Sequence, residues 1–244
     1  MLDWSSLLLA LAGLFLAGII KGVTGLGYAS CSLPFLVIAI GLKPAMALVI
    51  IPSMTTNFSL ALTTGHFRET ISRFGLLYVS MLPGIAVGVS LLLWINPHVA
   101  ARALGAVIIA YGIFALLKPA MALPRRFERP LQIPTGFLNG VMTGMTGAQV
   151  MPLFPYVMAL NLEPSRMIQA INLAVLIAST ILAVSLATTG ILTPLLLAAS
   201  IAAIIPALLG VELGVRARGL IPVDAFRRIV ILTLIFLGLM LLAR

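Results

Sequence analysis

Charged residues are scarce in this 244-residue sequence: Asp, Glu, Lys and Arg make up 9% of it, and only six side chains are acidic. Soluble globular domains usually carry about 25% charged residues. Hydrophobic residues make up 61% of the chain, and its mean hydropathy is +1.20. Apolar runs of roughly 17 residues or more recur along its length, as in transmembrane helices. No run alternates with period 2, so the sequence predicts an all-α polytopic membrane protein.

Enzyme signatures are also missing from the sequence. It has no H-E-x-x-H, G-x-S-x-G, Walker or Rossmann fingerprint, and no pair of acidic residues lies inside an apolar run. The lone Cys31 excludes an internal disulfide and a cysteine-based metal cluster. His66 and His98 fall at predicted loop ends on opposite faces, so they cannot share a metal ion. We therefore expect no enzyme activity, no metal and no cofactor, and any transport would use ion or substrate gradients.

The net charge of +9 does not indicate nucleic-acid binding. The basic residues lie in short loops between apolar segments, where they set membrane topology, so the expected large partner is the lipid bilayer. The N-terminus lacks the basic leader and cleavage site of a signal peptide. We therefore expect the first apolar run to be retained as a span.

Ten apolar segments are predicted, with proline, glycine or charged residues at the joints. They are residues 4–20, 28–41, 44–64, 71–94, 98–117, 131–143, 149–161, 164–187, 191–212 and 223–243. We expect a first transmembrane repeat over 1–118, a basic cytoplasmic linker over 119–130 and a second repeat over 131–244.

Matching motifs in the two halves indicate an internal duplication. The offset stays between 120, from Pro44 to Pro164, and 126, from Gly84 to Gly210. The matches are Gly18-x-x-x-Gly22 with Gly140-x-x-x-Gly144, each followed by Thr-Gly; Lys43-Pro44 with Glu163-Pro164; Thr63-Thr64-Gly65 with Thr188-Thr189-Gly190; Gly84-x-x-x-Gly88 with Gly210-x-x-x-Gly214; and Arg102 with Arg227.

Two segments, 28–41 and 149–161, span roughly 20 Å as helices, less than the hydrocarbon thickness of about 30 Å. Each could be the second limb of a single crossing or of a hairpin that returns to its own side. Hairpins place 11 basic residues inside and three outside, whereas single crossings give seven on each side. The inside set is Arg68, Arg73, Lys118, Arg125, Arg126, Arg129, Arg166, Arg216, Arg218, Arg227 and Arg228, and the outside set is Lys43, Arg102 and Arg244.

Because basic residues concentrate on the cytoplasmic side, the count favours two inverted repeats with both termini outside. Each repeat is then a glycine-broken helical hairpin followed by three transmembrane helices.

The hairpin tips are the expected functional elements. A helix break at membrane depth is tolerated only where protein or a polar cavity surrounds it, and a repeated break points to a transporter's binding site. The helix after each break offers unpaired N–H groups and a positive dipole end to an anion. The predicted substrate-binding residues are Lys21, Thr24, Gly25, Gly27, Ser30, Asn57, Thr143, Thr146, Gly147 and Gln149.

These residues have ordinary alternative roles. A lysine inside a span marks a pathway or counter-ion, but Lys21 could also snorkel or pair with a carbonyl. The hydroxyls could cap helices or bond back to their own backbone. Asn57 and Asn172 could line a path or join neighbouring helices, and glycines spaced by four residues commonly serve close helix packing.

At these two break motifs the sequence resembles the sulfite exporter TauE/SafE family of membrane transporters. The resemblance covers nearly the whole chain and rests on the run from Gly18 to Gly27, the following Pro34 and the second copy from Gly140 to Gly147. It implies export of small sulfur-containing anions, such as sulfite or sulfonates, across a bacterial inner membrane. Ala148-Gln149 replaces the further glycine in the second copy, so the two tips are not equivalent.

Together these features predict a secondary transporter that binds a small anion at the midplane between two broken-helix tips and moves it by alternating access. An anion channel of the same architecture and a non-transporting membrane scaffold are the alternatives. The sequence leaves open which anion is carried, the coupling ion, and whether the chain forms a homo-oligomer.

Overall fold

The structure, a computed structural model, describes residues 4–25, 27–63, 65–117, 121–220 and 222–243, which form eleven α-helices. These are α1 (Trp4–Thr24), α2 (Tyr28–Ile40), α3 (Leu42–Thr63), α4 (Phe67–Trp94), α5 (Pro97–Leu117), α6 (Arg125–Thr146), α7 (Leu153–Ala159), α8 (Pro164–Thr188), α9 (Pro194–Ala202), α10 (Ile204–Ala217) and α11 (Val223–Ala243).

Within the described residues, seven spans are long and apolar enough to cross a membrane: α1, α3, α4, α5, α8, α9 and α10 taken together, and α11. The all-α, multi-pass prediction is therefore confirmed. The predicted segments match the helices closely in the first half. Lys118, Arg244 and Thr64, which were used for the charge count and the repeat, lie outside the described residues.

Three predicted boundaries in the second half need correction. The helix predicted over 131–143 begins earlier, at Arg125, so part of the expected 119–130 linker is helical. Its first turns are charged and form an amphipathic helix end instead of an apolar run. The segment predicted over 149–161 is helical only over Leu153–Ala159. The segment predicted over 191–212 is interrupted at Ala203 and runs on to Ala217, because Pro206 has no N–H to bond the carbonyl of residue 202.

Helices α1 and α2 form an antiparallel hairpin. Its limbs are in contact where Gly13 faces the side chain of Phe35, a pairing that requires the chain to reverse between them. Gly25 and Gly27 flank the reversal with φ of 79° and 85°, a left-handed conformation that glycine adopts without strain. The predicted break in the first half is therefore a hairpin tip.

Helices α6 and α7 form a second hairpin. Gly147 ends α6 with φ 77°, and the chain then returns toward its starting point. At the far end the Leu123 N–H donates to the carbonyl of Ala159 over 2.7 Å, and the Tyr156 hydroxyl donates to the carbonyl of Glu128 over 2.7 Å. The second predicted break is therefore also the tip of a hairpin.

Each hairpin packs its first limb along a long helix of the other half, and the paired helices run parallel. Helix α1 lies on α10, and α6 lies on α4. At both contacts a Cβ on either glycine of the pair would collide with backbone atoms of the facing helix. The facing pairs are Gly18 and Gly22 with Gly210 and Gly214, and Gly140 and Gly144 with Gly84 and Gly88. For these glycines the close-packing role is observed directly.

Two further helix pairs run antiparallel. In α5 and α11, Gly105 faces the carbonyl of Gly238, whereas Gly112 faces Ile235. In α3 and α8, Ser53 meets Ser179, whereas the carbonyl of Ala61 accepts a hydrogen bond from Gln169. Helices α3 and α8 pass between the hairpins and carry the polar residues that connect them.

Candidate functional site

A buried lysine lies where the first hairpin meets α3 and α8. The ammonium group of Lys21 donates to the side-chain oxygen of Asn57 over 2.7 Å and to that of Asn172 over 3.1 Å. All three residues are at most 2% exposed. Because two amide oxygens solvate the ammonium group, this cation is held inside the protein instead of extending to a membrane surface.

The hydrogen-bonded network continues from this lysine to both hairpin tips. On one side the amide of Asn172 donates to the carbonyl of Gly25 over 3.3 Å. On the other side the amide of Asn57 donates to the carbonyl and the hydroxyl of Ser53. The Ser53 hydroxyl lies 3.5 Å from the Ser179 hydroxyl, which accepts a hydrogen bond from the amide of Gln149 over 3.0 Å. A chain of polar contacts therefore joins Gly25 in the first tip to Gln149 in the second.

A cavity of about 270 Å³ lies beside the first tip. Most of its lining is aliphatic, aromatic or methionine side chains. The lining residues are Ile20, Val23, Thr24, Gly27, Ser30, Cys31, Tyr111, Val150, Phe154, Met158, Met167, Ile171, Arg227, Val230, Ile231 and Leu234. Its few polar groups come from the first tip, from Tyr111 on α5 and from Arg227 on α11.

The first turn of α2 meets this cavity with unpaired donors. Gly27 precedes the helix, and no side chain caps its N–H groups. The first N–H groups of a helix have no intrahelical partner, and within the described residues those of Tyr28, Ala29 and Ser30 have no backbone acceptor. Of these three residues Ser30 lines the cavity, at the positive end of the helix dipole. Ser30 adds a hydroxyl that makes no hydrogen bond within the described residues. This arrangement suits an anion.

The predicted threonines are engaged with backbone carbonyls. Thr24 donates to Ile20 over 2.8 Å, Thr143 to Ala148 over 3.3 Å and Thr146 to Met142 over 2.6 Å. A hydroxyl has one proton, so in this conformation none of the three can donate it to an anion. The back-bonded alternative therefore describes them, and they fix the shape of the tips.

The second tip differs from the first. Helix α7 has seven residues, too short to supply a substantial dipole end, and it starts several residues after Gly147. Gly147 packs instead toward the side chains of Met46 and Leu33. The expectation that both tips present a helix N-terminus is therefore met by α2 only, and the second tip contributes mainly Gln149.

The two tips converge on a narrow cleft lined by Gly27, Ser30, Asn57 and Gln149, with a volume of about 10 Å³. A space of this size holds roughly one water molecule. Tyr28 also lines the cleft, and within the described structure its hydroxyl and Oε1 of Gln149 are buried without a hydrogen-bond partner. The cleft and the larger cavity share the lining residues Gly27, Ser30, Val150 and Phe154, so the small cleft adjoins the cavity at the tips.

The predicted site residues thus fall into three groups. Thr24, Gly27 and Ser30 line the cavity; Lys21, Gly25, Asn57 and Gln149 belong to the polar network; Thr143, Thr146 and Gly147 shape the second tip. Their roles in substrate binding stay predictions.

Four residues of this region were missing from the predicted site: Asn172, Ser53, Ser179 and Arg227. Asn172 had been noted only as an amide that could line a path or join neighbouring helices. Ser53 and Ser179 are 126 residues apart, within the repeat offset, so a search for paired hydroxyls could have found them. Arg227 had been counted only as a loop charge, and no sequence signal places it beside a cavity.

The fold and this interior define a multi-pass helical membrane protein of the transporter class, with a buried polar network and a cavity that ends at a broken helix. The family model described as Sulfite exporter TauE/SafE matches residues 9–241. The chain belongs to the sulfite exporter TauE/SafE family, as the resemblance had implied. Its members are transporters and not enzymes, and membership implies export of sulfite or related sulfur-containing anions across a membrane. Comparisons with curated proteins and with solved structures find no match.

Proposed function

We propose that the chain is a secondary transporter that exports organosulfonates or sulfite across the bacterial inner membrane by alternating access. The observation that carries this proposal is the cavity of about 270 Å³ that ends on the uncapped first turn of α2. Helix N-termini bind anions through their free N–H groups and dipole, and discontinuous helices serve this purpose in transporters. The substrate anion would lie between this turn and the cleft at the tips.

Inverted repeats are part of the proposal. Parallel halves would make α5 parallel to α11 and α3 parallel to α8, whereas contacts such as Gly105 with Gly238 and Gly112 with Ile235 require antiparallel courses. A two-fold axis in the membrane plane that relates the two halves accounts for the antiparallel pairs α5–α11 and α3–α8 as well as for the parallel pairs α1–α10 and α4–α6. The charge count supports the same arrangement and puts the cavity's Arg227 end on the cytoplasmic side.

The lining favours an organosulfonate over inorganic sulfite. Side chains such as Phe154, Met158 and Ile171 surround most of the cavity and can cover the apolar body of a substrate. They offer no replacement for the water that surrounds a small dianion. An apolar groove of about 190 Å³ adjoins the cavity through Ile20 and Val230 and gives further room for such a body.

A carrier accounts for the site better than a channel does. An open channel needs a continuous path, whereas the cleft between the tips has room for only about one water molecule. A cavity that reaches the tips on one side and adjoins only a small cleft there is what alternating access requires of a single conformation.

Flux into proteoliposomes tests the proposal, with radiolabelled sulfite and benzenesulfonate as the probes. We expect saturable flux of benzenesulfonate with counterflow. Current that rises linearly with voltage would favour the channel, and no flux of either anion would refute transport of these anions.

Ser30 and Ser32 provide matched variants for this assay. We expect Ser30→Ala to raise KM roughly 2- to 10-fold, because one hydrogen-bond donor is lost. Ser32→Ala should leave KM unchanged, because its hydroxyl bonds the carbonyls of Tyr28 and Ala29 and does not line the cavity. An equal KM for both variants would move the site away from this turn.

A further inference from the structure

We propose that Arg227 on α11 is the side chain that binds the anionic group of the substrate in this cavity. The inference rests on the proposed function, since it assumes that the cavity holds the transported anion. Among the residues that the structure describes, Arg227 is the only charged one that lines the cavity. It faces the same space as Gly27 and Ser30 at the start of α2.

The charge of Arg227 is uncompensated within the described residues. Some other arginines have partners: Arg216 pairs with Glu212, and Arg218 donates to the carbonyl of Gly22. Arg227 makes no ion pair and no hydrogen bond among the described residues, although it is half-buried. A half-buried cation facing an apolar cavity without an acid partner is stabilised when an anion enters.

The chemistry of the guanidinium group fits this role. Its planar fork can bond two oxygens of a sulfonate or sulfite at once, and such charge-assisted pairs are among the stronger hydrogen bonds. The apolar lining lowers the local dielectric constant, which strengthens the attraction. Arg227 and the first turn of α2 would hold the anion from two different helices, so a rearrangement that separates those helices would release it.

The competing explanation is that Arg227 only helps to set membrane topology. Arg228, its neighbour in the same turn of α11, provides the matched control, because it is exposed and does not line the cavity. Both residues contribute one positive charge to the same end of the helix. A topological role therefore predicts equal effects of removing either charge, whereas a binding role predicts an effect at Arg227 alone.

The test compares KM and the dissociation constant for benzenesulfonate in the full-length protein and in the Arg227→Gln, Arg227→Lys and Arg228→Gln variants. We expect Arg227→Gln to weaken binding about 10- to 100-fold, as loss of a charged hydrogen bond does. Arg227→Lys should lie between that variant and the wild type, because it keeps the charge and loses the fork. Arg228→Gln should bind as the wild type does.

The outcomes separate this inference from the proposed function. If the unchanged protein neither binds nor transports any sulfur-containing anion, the proposed function fails. If the unchanged protein transports benzenesulfonate and the KM of Arg227→Gln equals that of Arg228→Gln, Arg227 does not bind the anionic group. The proposed transporter function is then unaffected. If Arg227→Gln does not fold, the Arg227→Lys variant decides the question. An affinity for benzenesulfonate equal to that of the wild type would then overturn the inference. A weaker affinity in a protein of normal thermal stability would support it.

Discussion

At the scale of single residues, the main feature is a lysine that has neutral partners. Lys21 is buried inside the helical bundle, and its hydrogen bonds go to the amide oxygens of Asn57 and Asn172. A cation at membrane depth is unfavourable unless polar groups surround it. The two amides satisfy the hydrogen-bond donors of Lys21, and Asn172 also donates to the carbonyl of Gly25, which links the lysine to the first tip.

Lys21→Met is expected to lower both stability and flux. The substitution leaves two buried amide oxygens without their donor, and each buried unsatisfied group costs about 1–3 kcal/mol. The measurements are the thermal unfolding midpoint in detergent and benzenesulfonate flux in proteoliposomes. Lys43→Met is the control, since Lys43 is half-buried at the start of α3, outside the network. Equal midpoints for the two variants would show that the network contributes no stability.

At the scale of helices, glycines set the distance between the hairpins and the rest of the bundle. Lipid tails are as apolar as leucine side chains, so helices in a membrane associate through close packing instead of the hydrophobic effect. The facing glycines of α1 with α10 and of α4 with α6 allow backbone-to-backbone approach. The position of each tip therefore depends on small residues well before the tip itself.

Gly144→Ala is expected to destabilise the protein by about 1–3 kcal/mol, the usual range for overpacking. Its new Cβ would meet the backbone of Ile85 and Val89 and lie 2.9 Å from the Cα of Gly88. Gly75→Ala is the matched control, because nothing lies within 4 Å of that Cβ position in α4. Thermal unfolding of both variants in detergent measures the difference, and a Gly144→Ala midpoint equal to that of Gly75→Ala would contradict the packing described here.

At the scale of the whole molecule, the proposed inversion makes the two equivalent hairpins enter from opposite sides of the membrane, with their tips meeting inside it. The two tips are nevertheless unequal: α2 has 13 residues and starts beside the cavity, whereas α7 has only seven residues. The first tip therefore borders a cavity with the N-terminus of α2, whereas the second tip contributes Gln149. A single state of a carrier is expected to be asymmetric in this way.

Labelling of single cysteines tests the inversion. Two single cysteines are introduced separately into a Cys31→Ala background. The first is His98→Cys, at an exposed position near the start of α5. The second is Gly219→Cys, at a position after α10 where nothing lies within 4 Å of an added Cβ. Inverted repeats put residue 98 outside and residue 219 inside, whereas parallel halves put both outside. We expect a membrane-impermeant maleimide to label only the first in intact cells and both after permeabilisation. Labelling of both in intact cells would refute the inversion.

The sequence by itself determined the helical class, most helix boundaries, the two breaks and the family, because apolar run length, glycine and proline act locally. It also singled out Lys21, Asn57 and Gln149 as unusual inside apolar segments. The boundaries of α6 and α7 were predicted wrongly. Helix α6 extends into the charged residues that begin at Arg125, and the segment that contains Pro152 and Pro155 is helical only over Leu153–Ala159.

Only the tertiary structure decided which side chains meet. Lys21 finds one amide 36 residues away and another 151 residues away, and nothing local in the sequence specifies those contacts. The same holds for Arg227, which is a loop charge in sequence and a cavity residue in space. Helix packing brings these distant residues together, because the hairpins bury their polar groups against polar side chains of α3 and α8.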